Sequence, residues 1–87
     1  MILPTIHLNG TSQAELETQV RNVVDALATA EEALQAMAPH QRDYYPQGES
    51  AWQAARNDHQ VRLHTIHGMR AELEHALLAI YDQRKDR

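Results

Sequence analysis

The fold of this 87-residue chain is decided by residues 12–39, which have the sequence SQAELETQVRNVVDALATAEEALQAMAP. Ser12, followed three residues later by Glu15, is typical of a capping box at a helix N-terminus. Pro39 must end such a helix, because proline removes a backbone donor and clashes with the preceding turn. The stretch therefore predicts a helix over residues 12–38. Its apolar residues recur at spacings of three and four, as in a coiled-coil seam; they are Leu16, Val20, Val23, Leu27, Ala30, Leu34 and Met37.

A second helix is predicted over residues 50–83, where Ser50 and Gln53 form a weaker capping box. Its apolar face consists of Trp52, Ala55, Leu63, Ile66, Met69, Leu73, Leu77 and Ile80. The connection, residues 39–49, is short enough to make the two helices an antiparallel hairpin. Residues 84–87 form a charged tail, in which Arg84, Lys85 and Arg87 favour the negative end of the helix dipole.

The N-terminal segment, residues 1–11, is predicted to be an extended arm with a short strand. Ile6 and Leu8 alternate with the polar residues around them, which is the pattern of a strand, and Asn9-Gly10 then favours a turn. A strand needs a partner to be stable.

The fold class is therefore mainly all-α, with a single domain. Because each helix of a hairpin covers only one side of the other, we expect two hairpins to pair as a four-helix bundle in a homo-oligomer, most simply a dimer. The alternative is a monomer in which the N-terminal segment folds over the exposed side.

Composition limits the possible partners. The absence of Cys excludes disulfides and thiolate metal sites, and the net charge of −4 argues against nucleic acid or an anionic membrane as a partner. No apolar run approaches the ~20 residues that span a bilayer, and the first residues lack the charge pattern of a signal peptide. We expect a cytoplasmic location.

The interhelical connection is the first candidate site, through Arg42, Asp43, Tyr44, Tyr45 and Gln47. Adjacent tyrosines offer flat faces to a nucleobase, and an arginine offers two parallel donors to a phosphate. The alternative is structural: one tyrosine closes the end of the helical core, and Arg42 pairs with Asp43.

Polar residues on the apolar face of the second helix form another candidate group. His59 falls within that face, and Arg62 and Arg70 fall on it or at its edge. Polar groups on a buried stripe need partners or a wet cavity. The alternative is that His59 bonds a carbonyl group while the arginine head reaches water.

His7 and Asn9 form a third group, which could approach the loop of a partner chain in an antiparallel dimer. A strand, a turn and a cap explain the same segment without a ligand.

The sequence favours binding over catalysis. Ser12 and Ser50 are explained as helix caps, and no glycine-rich phosphate loop occurs. His64 and His67 would supply only two metal ligands, so no metal and no cofactor is predicted.

Several stretches carry a resemblance to known proteins: IHLNGTS at residues 6–12, RDYYPQG at 42–48, and the following helix with Trp52, Arg56, His59 and Leu63. With these stretches the chain resembles small proteins encoded by phages and prophages. Its layout is similar to the helical-hairpin sponge proteins of the anti-CBASS and anti-Thoeris families, which bind nucleotide signals between subunits without cleaving them. That similarity implies that Tyr44 or Tyr45 stacks on a base while Arg42, Arg56 or Arg62 contacts phosphate.

The leading prediction is thus a non-enzymatic anti-defence protein of phage type. It would sequester a nucleotide-derived immune signal, either a cyclic nucleotide or an ADP-ribose derivative, at an oligomer interface. The alternative is a protein–protein interaction module, which would act as a phage assembly factor or as an inhibitor that docks on a host protein.

Overall fold

The computed structural model describes residues 1–83, and within this range the chain is all-α, as the sequence predicts. Helix α1 spans Gln13–Ala36, the short helix α2 spans Gln41–Tyr44, and helix α3 spans Glu49–Asp82, with a 3₁₀ turn at Tyr45–Gln47 between α2 and α3. The predicted charged tail, residues 84–87, lies outside the described residues. None of the helices described is long and apolar enough to cross a bilayer.

Helix α1 begins where the capping box places it. The Ser12 hydroxyl accepts a hydrogen bond from the backbone N–H of Glu15 at 3.2 Å, which satisfies one of the free donors of the first turn. The helix ends at Ala36, two residues before the predicted end, and the N–H of Met37 closes the last turn on Leu34.

Helix α3 begins differently from the prediction. Its N-cap is Gly48, at a φ of 98° that favours glycine, and Ser50 lies inside the first turn. No side chain caps this end, and the amide of Gln53 instead donates to the Glu49 carboxylate at 3.1 Å. The predicted Ser50–Gln53 capping box is wrong because the turn through Pro46 and Gly48 already sets the start of the helix.

The two long helices pack against each other antiparallel. At one end the Gln13 amide donates to the carbonyl oxygen of Ile80 at 2.8 Å. In the middle Glu31 lies beside Arg70, with 2.8 Å between Oε2 and Nε. The resulting molecule measures 62 × 19 × 19 Å, and its radius of gyration of 18.9 Å far exceeds the about 12 Å expected for a compact domain of this length.

The contact stripe on α1 corrects the predicted heptad seam. Leu16, Val20, Leu27 and Leu34 are half-buried as expected, but Val23, Ala30 and Met37 are exposed. A straight helix drifts by about 20° per heptad, so the stripe moves onto Val24 and Glu31. On α3, Met69 is exposed although the pattern placed it on the apolar face.

Glu31 is therefore the centre of an ionic cluster within the helix contact. Its carboxylate lies 3.2 Å from Nδ1 of His67 and 2.8 Å from Nε of Arg70, whose Nη1 donates to Glu74 at 3.3 Å. The Arg70 Nε–H is not aligned for a hydrogen bond with Glu31, so that contact is an ion pair. Glu31 and Arg70 line a groove on one side of the helix pair, where Gln35 also lies.

Residues 1–83 contain no strand, so the predicted N-terminal strand is not confirmed. Residues 1–6 form an extended arm against the C-terminal part of α3, and a turn closes with the N–H of Gly10 donating to the His7 carbonyl. The Gln83 side chain accepts from the N–H of Ile6 and donates to the Pro4 carbonyl, both at 2.9 Å. A side-chain amide thus takes the place of a paired strand in satisfying the arm's backbone.

Candidate ligand-binding site

A cavity of about 380 Å³ opens at the end of the molecule that carries the interhelical connection. We call it the loop-end cavity. Met37, Pro39 and three alanines of α3 form its apolar wall. Its polar lining consists of Tyr44, Gln47, Asp58, His59 and Arg62.

Local structure brings these side chains together. Pro39 ends α1, and α2 then turns the chain so that the Tyr44 ring packs against Trp52, with 6.1 Å between ring centroids and 39° between planes. Asp58 and Arg62 are one turn apart on α3, so both border the same opening.

His59 is the most unusual member of the lining. Its side chain is only 5% exposed, yet Nδ1 has no hydrogen-bond partner. The predicted alternative, in which His59 bonds a carbonyl group, is not seen at this nitrogen. Leaving a buried polar atom unsatisfied costs about 1–3 kcal/mol, so His59 is a lining residue with a nitrogen that the fold itself does not satisfy.

Arg62 supplies the positive charge of the cavity. Its side chain is exposed, and no carboxylate within residues 1–83 forms an ion pair with it. The guanidinium can therefore bind an anionic group without first breaking an internal contact.

The structure brings together only some of the ten residues singled out from the sequence. Tyr44, Gln47, His59 and Arg62 share the loop-end cavity. Arg42 and the highly exposed Tyr45 line a separate shallow depression with Gln41. The other four lie outside both sites; they are Arg56, Asp43, His7 and Asn9.

Two of these placements have clear physical causes. The Arg56 guanidinium lies over the Trp52 ring, 5.7 Å from its centroid, in a cation–π contact that fixes it outside the cavity. His7 belongs to the arm, which packs at the opposite end of the helix pair, where the Ile6 N–H meets Gln83. Within one chain the arm and the connection therefore do not share a site.

Sequence reasoning missed Asp58 and the apolar wall. The spacing of Asp58 from Arg62, four residues on a helix, was a usable signal for a shared edge. Met37 was assigned to the helix seam, and its exposure at the cavity follows from the shift of the seam.

A second cavity of about 440 Å³ lies between the arm and α3 and is lined mainly by Leu3, Ala71, Ala76 and Ala79. It is larger, but none of its lining side chains has a buried polar atom without a partner. The described residues also contain no cluster of three or more groups placed to hold a metal ion. The loop-end cavity is therefore the better candidate.

Comparison of the chain with protein-family models, with curated proteins and with solved structures gives no match.

Proposed function

We propose that the protein is a non-enzymatic binder of a small nucleotide-type ligand and that the loop-end cavity is its site. One observation carries the proposal: His59, whose buried Nδ1 has no hydrogen-bond partner, lines the same cavity as Tyr44 and Arg62. An aromatic face, a free guanidinium and an unused hydrogen-bonding atom together suit a ligand with a ring and an anionic group.

The size and the chemistry of the lining support binding of a small ligand. A volume of about 380 Å³ lies within the ~300–1,000 Å³ range of small-molecule sites. Arg62 would contact phosphate, Tyr44 would contact the base, and Gln47 or Asp58 would bond ring or ribose groups.

The narrower role is sequestration of an immune signal, a cyclic nucleotide or an ADP-ribose derivative, by a homo-oligomer in the host cytoplasm. This part of the proposal rests on the similarity of layout to phage sponge proteins.

The first test is a thermal-shift screen against cyclic nucleotides, cyclic dinucleotides and ADP-ribose derivatives, with chemical analysis of the ligand afterwards. We expect a saturable rise in Tm with one ligand class and recovery of that ligand unchanged. The proposal is overturned if the whole panel leaves Tm unchanged or if the ligand is converted to a product.

Two pairs of substitutions then locate the site. Arg62→Ala should abolish the rise in Tm, whereas Arg42→Ala, which changes an arginine outside the cavity, should leave it intact. Tyr44→Ala and Tyr45→Ala form the same contrast between neighbouring tyrosines. Because Arg62 is exposed, its loss should not unfold the protein. The reverse result, with loss of binding in Arg42→Ala alone, would place the site in the connection outside the cavity.

The second candidate function is the protein–protein interaction module, which is favoured by the exposure of Val61 and Leu78. A stoichiometric complex that Val61→Glu dissociates, together with no ligand-induced rise in Tm, would favour this candidate over the first.

A further inference from the structure

We infer that the loop-end cavity selects nucleotides whose ribose keeps both of its hydroxyl groups free, and that Asp58 binds those hydroxyls. An open-chain ligand such as ADP-ribose or AMP has this free diol. In a cyclic nucleotide, one of the two ribose oxygens is bonded to phosphate instead. This selectivity rests on the proposed function, in which both classes of ligand are open, and it decides between them.

The lining of the cavity carries one carboxylate and one guanidinium, on Asp58 and Arg62. The two residues are one turn apart on α3, where side chains begin about 5–6 Å from each other. An acid placed before a base at this spacing is the favourable order for an ion pair, yet the two side chains form none, and both are exposed. Two opposite charges at a fixed short spacing therefore border the cavity, and neither is neutralised by the other.

A nucleotide presents matching groups at such a spacing. Its phosphate suits the guanidinium of Arg62, which offers parallel donors to an anion. The ribose hydroxyls lie on the same sugar as the phosphate and donate hydrogen bonds, whereas the donors of a base lie at the far edge of its ring. An ionised carboxylate only accepts, and its two oxygens can each accept from one of two neighbouring hydroxyls. Carboxylates bind ribose hydroxyls in this way in dinucleotide-binding folds.

A cyclic nucleotide loses this match in two ways. One of its hydroxyls is esterified, so a donor to Asp58 is missing. The ester also brings a negatively charged phosphate to the edge of the sugar that faces this carboxylate, and like charges at close range repel each other. Because Asp58 is exposed, salt screens the repulsion, but salt does not restore the missing donor.

The size of the cavity agrees with a single nucleotide unit. Its volume of about 380 Å³ lies near the lower end of the ~300–1,000 Å³ range of small-molecule sites. A linear ligand such as ADP-ribose can insert one unit and leave the other in solvent. In a cyclic dinucleotide each ribose is bonded to two phosphates, so neither sugar offers a free diol to Asp58.

Pairs of nucleotides that differ by one hydroxyl test this selectivity on the full chain. AMP and 3′-deoxy-AMP have the same base, phosphate and charge, so their Kd values from calorimetry isolate the hydroxyl; GMP and 3′-deoxy-GMP repeat the comparison with the other purine. We expect the wild type to bind the ribonucleotide at least about tenfold more tightly, because its hydroxyl donates to a charged acceptor. ADP-ribose should likewise bind at least about tenfold more tightly than cyclic AMP.

The variant Asp58→Ala assigns the hydroxyl to this carboxylate. In this variant the Kd values of AMP and 3′-deoxy-AMP should agree within about twofold, whereas Asp43→Ala, which removes an exposed acid outside the cavity, should keep the wild-type ratio. Because the ratio is taken within each protein, a general gain in anion affinity from the lost negative charge cancels. Both positions are exposed, so both variants should keep their helices, which far-UV circular dichroism checks.

Equal Kd values for AMP and 3′-deoxy-AMP in the wild type would overturn the inference, as would a ratio that survives in Asp58→Ala. If a cyclic nucleotide raises Tm and the nucleotides with a free diol do not, the proposed function stands and this selectivity fails. If neither class binds, the proposed function fails and the selectivity falls with it.

Discussion

The two ends of this molecule are built from the same pair of helices but differ in what packs against those helices. At the arm end, Gln13 and Gln83 each bond backbone atoms of a neighbouring segment, and the only two fully buried apolar side chains within residues 1–83, Ala76 and Ile80, lie here. At the connection end, the buried Nδ1 of His59 has no partner, and a cavity separates the end of α1 from α3.

The difference shows where a two-helix protein can place a site. The arm acts as a third segment that covers one end, and the Gln83 side chain holds it through two backbone hydrogen bonds. At the connection end, α2 and the following turn pack on α3 through Tyr44 and Trp52 but leave a cavity, and Arg62 in its lining has no ion-pair partner within residues 1–83. Stability should therefore be concentrated at the arm end, and unused binding capacity at the connection end. Three substitutions, compared at equal protein concentration, test this division.

The largest effect is expected for Ile80→Ala at the arm end. Ile80 is 1% exposed, and truncating a buried isoleucine lowers the free energy of unfolding by about 2–5 kcal/mol. Urea denaturation followed by circular dichroism measures the change. Leu78→Ala, two residues away and exposed, should change the free energy by no more than about 0.5 kcal/mol. Equal effects of the two substitutions would show that the arm end has no distinct core.

A smaller loss is expected for Gln83→Ala, which removes both hydrogen bonds that hold the arm. We expect a decrease of about 1–2 kcal/mol in the free energy of unfolding and faster amide exchange at Ile6, whose N–H donates to the Gln83 side chain. Hydrogen exchange followed by NMR measures the second effect. Gln60→Ala, at an exposed position of α3, is the control and should leave the Ile6 amide protected. Unchanged protection of Ile6 in Gln83→Ala would mean that other contacts hold the arm.

The smallest effect, and one of opposite sign, is expected for His59→Leu at the connection end. Replacing a buried, unpartnered polar group by an apolar one of similar size should raise the free energy of unfolding by about 1 kcal/mol while it removes the ligand-induced rise in Tm. His64→Leu, at an exposed position of the same helix, should change neither quantity appreciably. Marked destabilisation by His59→Leu would mean that this side chain contributes to the core and is not held for a ligand.

The residues of the candidate site could be predicted from the sequence only in part. Tyr44 and His59 were both singled out, one as a loop aromatic and the other as a polar residue on an apolar face. The sequence could not distinguish Tyr44 from Tyr45, because in α2 and the following turn neighbouring residues point in different directions. Only one of the two rings reaches Trp52 and the cavity, whereas the other is exposed. The sequence also could not decide which of Arg42 and Arg62 borders the cavity, because that depends on how the connection packs against α3.

The sequence by itself determined the two long helices and the N-terminal boundary of α1. Periodicity, the Ser12 cap and Pro39 act within a few residues of where they stand, so local physics is enough to fix them. Tertiary structure alone decided which side of α1 faces α3, where Glu31 takes the place of Ala30 in the contact stripe and Met37 is left exposed. It also decided that a glutamine amide, and not a strand, holds the arm. These outcomes depend on residues far apart in the chain, such as the 77 positions between Ile6 and Gln83, and local sequence patterns do not encode such distances.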